Sequence, residues 1–307
     1  MRDPEGTGPL PSPPLPSGAH EALRADHPLL AEYERRYRGH PASAHSQWSS
    51  GYIQQEVDTR FFRGNSAYVW QQWDVADPFR YGLATYFTRL HDRLGLFECL
   101  DEDGLFGAET YDVDGVLVSR DLLDSISELT FLDDELGISE GDVTILDIGA
   151  GYGRLAHRAT TAFGNVTYLC ADGVPLSTFL SGYYLDFRDV GDRASVIPLD
   201  EVAETIDGRR IDVAVNIHSF SEAPFSAIEW WLDLITENNV QHLMIVPNTD
   251  TRLLSKERDG PKVDLRPVIE ARGYELVRIR PKYVSDFMQK HGLHGRFPMY
   301  YFLFARR

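Results

Sequence analysis

The pattern of hydrophobic positions changes near residue 140 of the chain. After Gly141, short runs of β-branched and apolar residues alternate with longer stretches that have helical spacing. Strands separated by helices are typical of a parallel, doubly wound α/β sheet. The predicted strands cover Val143–Asp147, Val166–Ala171, Ser195–Leu199, Ile211–Ile217, His242–Val246, Tyr274–Ile279 and Met299–Phe304.

Before residue 140 the spacing of apolar residues is mainly helical, as in Tyr81–Leu100. Ser119 can cap a helix that continues through Leu132. Residues 1–19 are rich in Pro, Gly and Ser, a composition that cannot bury a core. The pattern therefore predicts a disordered or loosely draped head (1–19), a helical N-terminal or lid region (20–139) and an α/β domain (140–307).

The net charge and the apolar content of the chain indicate which classes of partner it can bind. The chain has 307 residues, 43% of them hydrophobic, and a formal net charge of −17. Such a chain repels nucleic acids and anionic membrane surfaces at long range, although a small anionic substrate would need only a local basic pocket. No apolar run approaches the ~18 residues of a membrane span. The chain has two cysteines and no visible signal peptide, so we expect a cytoplasmic protein. We expect its partner to be a small molecule, and a homodimer is left open.

One segment, from Val143 to Arg154, joins a predicted strand to a predicted helix through three alternating glycines, Gly149, Gly151 and Gly153. Glycine lets the backbone turn sharply and lets a ligand approach it closely. The spacing is G-x-G-x-G, which differs from the G-x-G-x-x-G that binds a dinucleotide pyrophosphate. An ordinary strand-to-helix turn and a nicotinamide site are the alternatives.

This segment resembles motif I of the class I S-adenosylmethionine (SAM) methyltransferases. The resemblance implies a Rossmann-like sheet of seven strands, the last of them antiparallel, and S-adenosyl-L-methionine as the cofactor. It also implies that the turn formed by Gly149, Ala150 and Gly151 passes under the methionine half of SAM. Asp147, at the end of the strand, would help to hold the ammonium group.

Further acidic residues follow the next two predicted strands. Asp172 ends the second strand, where an acid accepts hydrogen bonds from ribose hydroxyls in nucleotide-binding α/β folds; a turn cap is the alternative. Leu199 and Asp200 close the third strand. In the methyltransferase family this position flanks the adenine, whereas a helix N-cap is an equally good interpretation of Asp200.

The fourth predicted strand leads into the run Asn216–Glu222. Ligands of open α/β sheets bind outside the carboxyl ends of the strands, so these side chains should face the transferred methyl group. Asn216 is counted with the cofactor contacts. His218 is the candidate base because imidazole titrates near neutrality, although it could be a structural histidine. Glu222 could orient His218, bind a substrate hydroxyl or cap a helix; without a third ligand nearby, we expect no metal.

Three segments together show a second, closer resemblance: Glu102–Gly107, Val118–Ile126 and Asn216–Glu222. They resemble the bacterial sugar O-methyltransferases of natural-product and polysaccharide gene sets. This resemblance, from about Tyr52 to the end of the chain, implies methylation of a hydroxyl on a deoxysugar or glycoside.

Two residues of the second segment then become candidates. Arg120 could bind the SAM carboxylate as a planar, bidentate donor. Asp124 could contact the substrate or assist as a second acid or base. Because the two residues are four positions apart, an ion pair within one helix is the alternative.

The function expected from these patterns is SAM-dependent O-methylation of a sugar hydroxyl, with His218 as base and Glu222 or Asp124 assisting. Three alternatives stay open: a SAM-dependent carboxyl or phenol O-methyltransferase, a nicotinamide-dependent oxidoreductase, and a non-catalytic SAM-binding subunit.

Overall fold

The computed structural model describes residues 8–44, 48, 50–69, 78–248, 252–293 and 299–307. Residues 1–7 of the predicted head lie outside this range. The helices are α1 (Ala19–Ala22), α2 (Pro28–Arg36), α3 (Ser50–Glu56), α4 (Ser66–Val69), α5 (Pro78–His91), α6 (Leu96–Cys99), α7 (Arg120–Leu136), α8 (Arg154–Ala162), α9 (Pro175–Phe187), α10 (Val202–Ile206), α11 (Phe225–Glu237), α12 (Leu265–Ala271) and α13 (Asp286–His291).

The strands form a hairpin and one large sheet. The hairpin pairs β1 (Thr110–Val113) with β2 (Val116–Ser119). The sheet contains seven strands: β3 (Val143–Ile148), β4 (Val166–Ala171), β5 (Ala194–Ile197), β6 (Val213–Ile217), β7 (His242–Val246), β8 (Tyr274–Pro281) and β9 (Tyr300–Arg306).

The order of strands across the large sheet is β5-β4-β3-β6-β7-β9-β8. Neighbours from β5 to β7 are parallel, and β9 is antiparallel to both β7 and β8. The predicted α/β fold, a Rossmann-like sheet of seven strands with an antiparallel last strand, is therefore confirmed. The chain leaves β3 toward β4 on one side and later returns to β6 on the other. Ligands of such sheets bind at the carboxyl ends of the strands where this reversal occurs.

The chain divides into two compact units that do not follow the boundary predicted near residue 140. The first, the N-terminal unit, contains Met1–Ala25, Gln54–Gly137 and Tyr283–Arg296. The second, the sheet unit, contains Asp26–Ile53, Ile138–Lys282 and Phe297–Arg307. Residues 26–53 thus belong to the sheet unit, although their helical periodicity grouped them with the N-terminal region.

Burial on the sheet explains why residues 26–53 join it. Leu146 and Ile148 of β3 share a core with α11, and Tyr37 of the 26–53 segment lies in the same core. Tyr37 is 1% exposed; its hydroxyl donates to Thr178 Oγ1 at 2.9 Å and accepts from Leu199 N at 2.8 Å. A buried phenol with both hydrogen bonds made is a specific anchor for α2.

The N-terminal unit has a small core of its own, which includes Tyr81, Val118 and Leu123. The predicted cap of α7 is confirmed, since Ser119 Oγ accepts from Leu122 N at 3.0 Å. The described part of the Pro-rich head is tied to this unit, because Leu10 N donates to Thr110 O at 2.8 Å. Within the described residues, no helix is long and apolar enough to cross a membrane.

Candidate active site

The glycine turn lies at the carboxyl end of β3. Gly149, Gly151 and Gly153 all have positive φ angles, of 76°, 59° and 83°. A side chain at any of these positions would strain the backbone, which explains the alternating glycines of the sequence. Gly149 N and Ala150 N donate to Ala171 O at 2.8 and 3.3 Å, so the turn is fastened to the end of β4.

Asp172 follows β4 and holds the next part of the turn. Its carboxylate accepts from Gly151 N at 2.9 Å and from Val174 N at 2.8 Å. Burial raises the pKa of Asp172 to about 6, against the lowering effect of its hydrogen bonds to Val174, Gly151 and Ser177; the charge of Glu222 adds to the increase. Asp172 therefore shapes the turn, and its four acceptor positions still allow contact with a hydroxyl of a ligand.

A second brace comes from β6, the neighbour of β3 at the reversal point. Asn216 is fully buried; its Nδ2 donates to Ile148 O at 2.8 Å and its Oδ1 accepts from Phe220 N at 3.0 Å. The same Nδ2 also donates to Ser219 Oγ. Although Asn216 was expected to face the methyl group, its amide is used to join the two strand ends beneath the turn.

The contact between the two strand ends leaves no room for a side chain on Gly149. A Cβ built on Gly149 would overlap Ser219 Oγ and would lie 2.5 Å from Ser219 Cβ. Two independent features therefore require glycine at position 149: the positive φ and the close approach of Ser219.

Asp147 is the next-to-last residue of β3, two positions before the turn begins at Gly149. The side chain is 3% exposed, and its Oδ2 accepts from Tyr168 OH of β4 at 2.9 Å. Burial raises the pKa of Tyr168 well above its usual value, with the charge of Asp147 as the next cause. The structure thus gives Asp147 a protein partner, and its predicted contact with the SAM ammonium stays a prediction.

His218 has an unusual backbone at the end of β6. Its φ of 69° and ψ of −32° lie outside the left-handed helical region that non-glycine residues occasionally adopt. His218 N donates to Val246 O at 2.8 Å and its carbonyl accepts from Ser221 N at 2.9 Å, so the strained turn is held from both sides. Strain of this kind costs about 1–3 kcal/mol and is typical of functional sites.

Glu222 ends the 3₁₀ turn Ser219–Glu222 that follows His218. Its Oε2 accepts from Trp48 Nε1 at 2.9 Å, and its Oε1 accepts from Asn248 Nδ2 at 3.0 Å. Donors from two distant parts of the sheet unit therefore fix this carboxylate at the carboxyl edge of the sheet.

The residues predicted to flank adenine are held by the 26–53 segment. Leu199 is 1% exposed, and its N–H donates to Tyr37 OH. Asp200 accepts from Arg36 Nε at 2.9 Å and from Arg36 Nη2 at 2.8 Å, and Arg36 also contacts Glu201. A hydrogen bond from an adenine amine to Asp200 would have to share these oxygens with Arg36.

Arg120 and Asp124 belong to the N-terminal unit, at the beginning of α7. Arg120 Nη1 lies 3.7 Å from Asp124 Oδ2, and Arg120 Nη2 donates to Val69 O. The structure therefore shows the ion pair within one helix, and the roles predicted toward SAM and substrate remain predictions. Among the residues that the structure describes, no cluster of His, Cys, Asp and Glu is arranged to hold a metal ion.

Several residues that build this site had no signal in the sequence. Arg36 and Tyr37 reach partners more than 140 residues away, and Trp48 reaches Glu222 across 174 residues. Ser219 appeared in the Asn216–Glu222 run, but its fit against Gly149 could not be inferred from spacing.

Known proteins offer little sequence similarity. No family model and no curated protein matches the chain. Solved structures similar to it include magnesium protoporphyrin IX methyltransferase from Synechocystis PCC 6803 with bound SAM, at 12% identity and a TM-score of 0.43 over 61% of this chain and 83% of that one.

Two further similar structures have comparable values. The [4+2]-cyclase SpnF has 14% identity and a TM-score of 0.44, over 74% of this chain and 93% of that one. An O-methyltransferase family protein from Burkholderia thailandensis has 15% identity and a TM-score of 0.41, over 61% of this chain and 58% of that one. Values this low leave the function to be argued from the residues of this chain.

Proposed function

We propose that the chain is a SAM-dependent O-methyltransferase that methylates a hydroxyl of a sugar or glycoside. The observation that carries the proposal is the G-x-G-x-G turn at the reversal point of the sheet, braced by Asp172 on one side and by Asn216 and Ser219 on the other. A turn built of glycines with positive φ angles lets a ligand approach the backbone closely, and the neighbouring buried carboxylate fits a ligand that carries a ribose and a positive charge.

The acidic side chains around the glycine turn fit SAM better than a dinucleotide. Acidic side chains, Asp147, Asp172 and Glu222, stand on or beside the strands around the turn. Carboxylates accept hydrogen bonds from ribose hydroxyls and attract an ammonium or sulfonium group, whereas they repel a pyrophosphate. Bound SAM would supply a methyl group on a positively charged sulfur, which is already a good leaving group.

The protein would then have two tasks, positioning the acceptor and removing its proton. His218 would accept the proton of the acceptor hydroxyl, so that the oxygen could take the methyl group that bound SAM would supply. The strained backbone of His218 supports this role. It is maintained by hydrogen bonds to Val246 and Ser221, and strained residues of this kind cluster at functional sites. Glu222 and Asp124 are the assisting acids in this proposal.

Two arguments support a small hydroxyl acceptor. The net charge of −17 disfavours nucleic acids, and the second sequence resemblance supports a sugar or glycoside. A carboxylate acceptor is the second candidate, and it would need no base because it is already ionised. The role of His218 therefore separates these two acceptors.

The first test is the identity of the ligand. Isothermal calorimetry on the full chain should detect binding of SAM and of its product S-adenosylhomocysteine (SAH). It should detect no comparable binding of NAD, because the glycine spacing and the acidic surroundings do not suit a pyrophosphate. Tight binding of NAD without binding of SAM would reject the proposal. Binding of SAM without methyl transfer to any of a panel of glycosides, phenols and carboxylic acids would favour a non-catalytic subunit.

The pH dependence of SAH binding tests the role of Asp172. Since the pKa of Asp172 is raised to about 6, its carboxylate becomes protonated as the pH falls from 7 to 5. If the ionised form accepts the ribose hydroxyls, SAH should bind about tenfold more weakly at pH 5 than at pH 7. Calorimetry at several pH values measures this directly. A constant affinity across that range would mean that Asp172 only shapes the turn.

A further inference from the structure

Glu222 lies where its negative charge can interact with a ligand bound at the glycine turn. The turn follows β3, which lies between β4 and β6 in the sheet. Asp172 follows β4 and Glu222 comes soon after β6, so carboxylates flank the turn on both sides. Ser219, which begins the 3₁₀ turn that ends at Glu222, lies against Gly149, and the charge of Glu222 is among the causes of the raised pKa of Asp172.

Two hydrogen bonds fix the position of the Glu222 carboxylate. Trp48 Nε1 and Asn248 Nδ2 are neutral donors, one to each carboxylate oxygen. These two hydrogen bonds orient the carboxylate without adding a positive charge. The side chain is half-buried, where a fixed charge acts more strongly on its surroundings than it would in bulk water.

We propose that Glu222, positioned by Trp48 and Asn248, makes the cofactor pocket selective for positively charged SAM over neutral SAH. This inference rests on the proposed function. Methyl transfer converts the sulfonium to a thioether, so the attraction of Glu222 for the sulfur disappears when the product forms. The same carboxylate would therefore help SAM to bind and SAH to leave.

Three ligands of nearly the same shape test this inference. SAM carries a sulfonium, SAH a neutral thioether, and sinefungin an amine-bearing carbon in place of the methylsulfonium. In the wild type, calorimetry should show tighter binding of SAM and sinefungin than of SAH. In Glu222→Gln, this preference should fall about tenfold while the affinity for SAH changes little, because only the charged ligands lose an attraction to the carboxylate.

Two further variants separate charge from position. Glu237→Gln makes the same change in net charge at an exposed residue of α11, and it should keep the wild-type preference. Trp48→Phe keeps a smaller aromatic ring but removes the N–H that holds Glu222, so its preference should lie between those of the wild type and Glu222→Gln. The melting temperature of each variant shows whether the fold is intact. Trp48→Phe still tests the inference if Glu222→Gln does not fold.

The outcomes distinguish this inference from the function on which it rests. If Glu222→Gln folds and keeps the wild-type ratio of SAH to sinefungin affinity, Glu222 does not select charge and the inference fails. If Glu237→Gln raises this ratio as much as Glu222→Gln does, the effect belongs to the total charge and the inference also fails. If the wild type binds none of the three ligands, the proposed function itself is wrong.

Discussion

Replacing His218 with alanine should lower kcat for methyl transfer by roughly 10²–10⁴-fold, the usual contribution of a positioned general base. The affinity for SAM should change little, because the contacts assigned to SAM come from the glycine turn and the acids near it. The rate of the wild type should also increase with pH through a group that titrates near neutrality. Steady-state kinetics with labelled SAM would measure both effects once an acceptor is found.

A matched pair of variants separates the imidazole from its backbone. His218→Gly and His218→Ala both remove the base, but only glycine adopts the φ of 69° without strain. We therefore expect the glycine variant to be more stable than the alanine variant by about 1 kcal/mol, with equally low activity. Chemical denaturation measures this difference without any knowledge of the acceptor.

Other results would redirect the mechanism. If His218→Ala keeps near-normal turnover while Asp124→Ala or Glu222→Ala loses it, the general base is that carboxylate rather than His218. The proposed enzyme class would still hold. Normal turnover in all three variants would favour a carboxylate acceptor, for which positioning alone is sufficient.

The second large effect should come from Gly149→Ala. The new methyl group would overlap Ser219 and would also have to accept a φ of 76°. The left-handed backbone alone costs an alanine about 1–2 kcal/mol, and the overlap forces the ends of β3 and β6 apart. We expect a lower melting temperature and a loss of SAH affinity of about 100-fold, comparable with the effect that misplacing a positioned group has on catalysis.

Ser219→Gly provides the control for this prediction. Alone, it removes the side chain that Gly149→Ala would strike, and it should perturb the fold less. Combined with Gly149→Ala, it should restore part of the melting temperature, since the overlap is relieved while the strain in φ remains. Equal losses in the single and double variants would show that the contact between the two strand ends is not what makes Gly149 necessary.

The fold was predictable because its signals are local. Runs of β-branched residues bounded by glycine and polar residues identified each strand of the large sheet, and the predicted Val166–Ala171 and His242–Val246 agree with β4 and β7. The position of the glycine turn at a strand end followed from the same pattern. Ser119 as a helix cap was equally local, because the hydroxyl bonds a backbone N–H three residues away.

The partners of the site residues could not be predicted, because they depend on which distant segments the fold brings together. Asp200 has a local interpretation as a helix cap, yet its actual partner is Arg36. Helical spacing assigned 26–53 to the N-terminal region, because periodicity shows that a helix has an apolar face but not what covers that face. The strained backbone at His218 could not be predicted either, because no glycine or proline at that position indicates an unusual φ.

The assignment of residues 26–53 to the sheet unit has a consequence for how the chain acquires its structure. During synthesis Tyr37 leaves the ribosome 141 residues before Thr178 and 162 residues before Leu199, the partners of its hydroxyl. A helix as short as α2, with nine residues, is marginal in water by itself. It therefore gains its stability only when α9 and the segment after β5 are in place, and bringing such distant segments together has an entropic cost that slows folding. Until then the apolar side of α2 stays exposed, and exposed apolar surface of this kind favours aggregation of an unfinished chain.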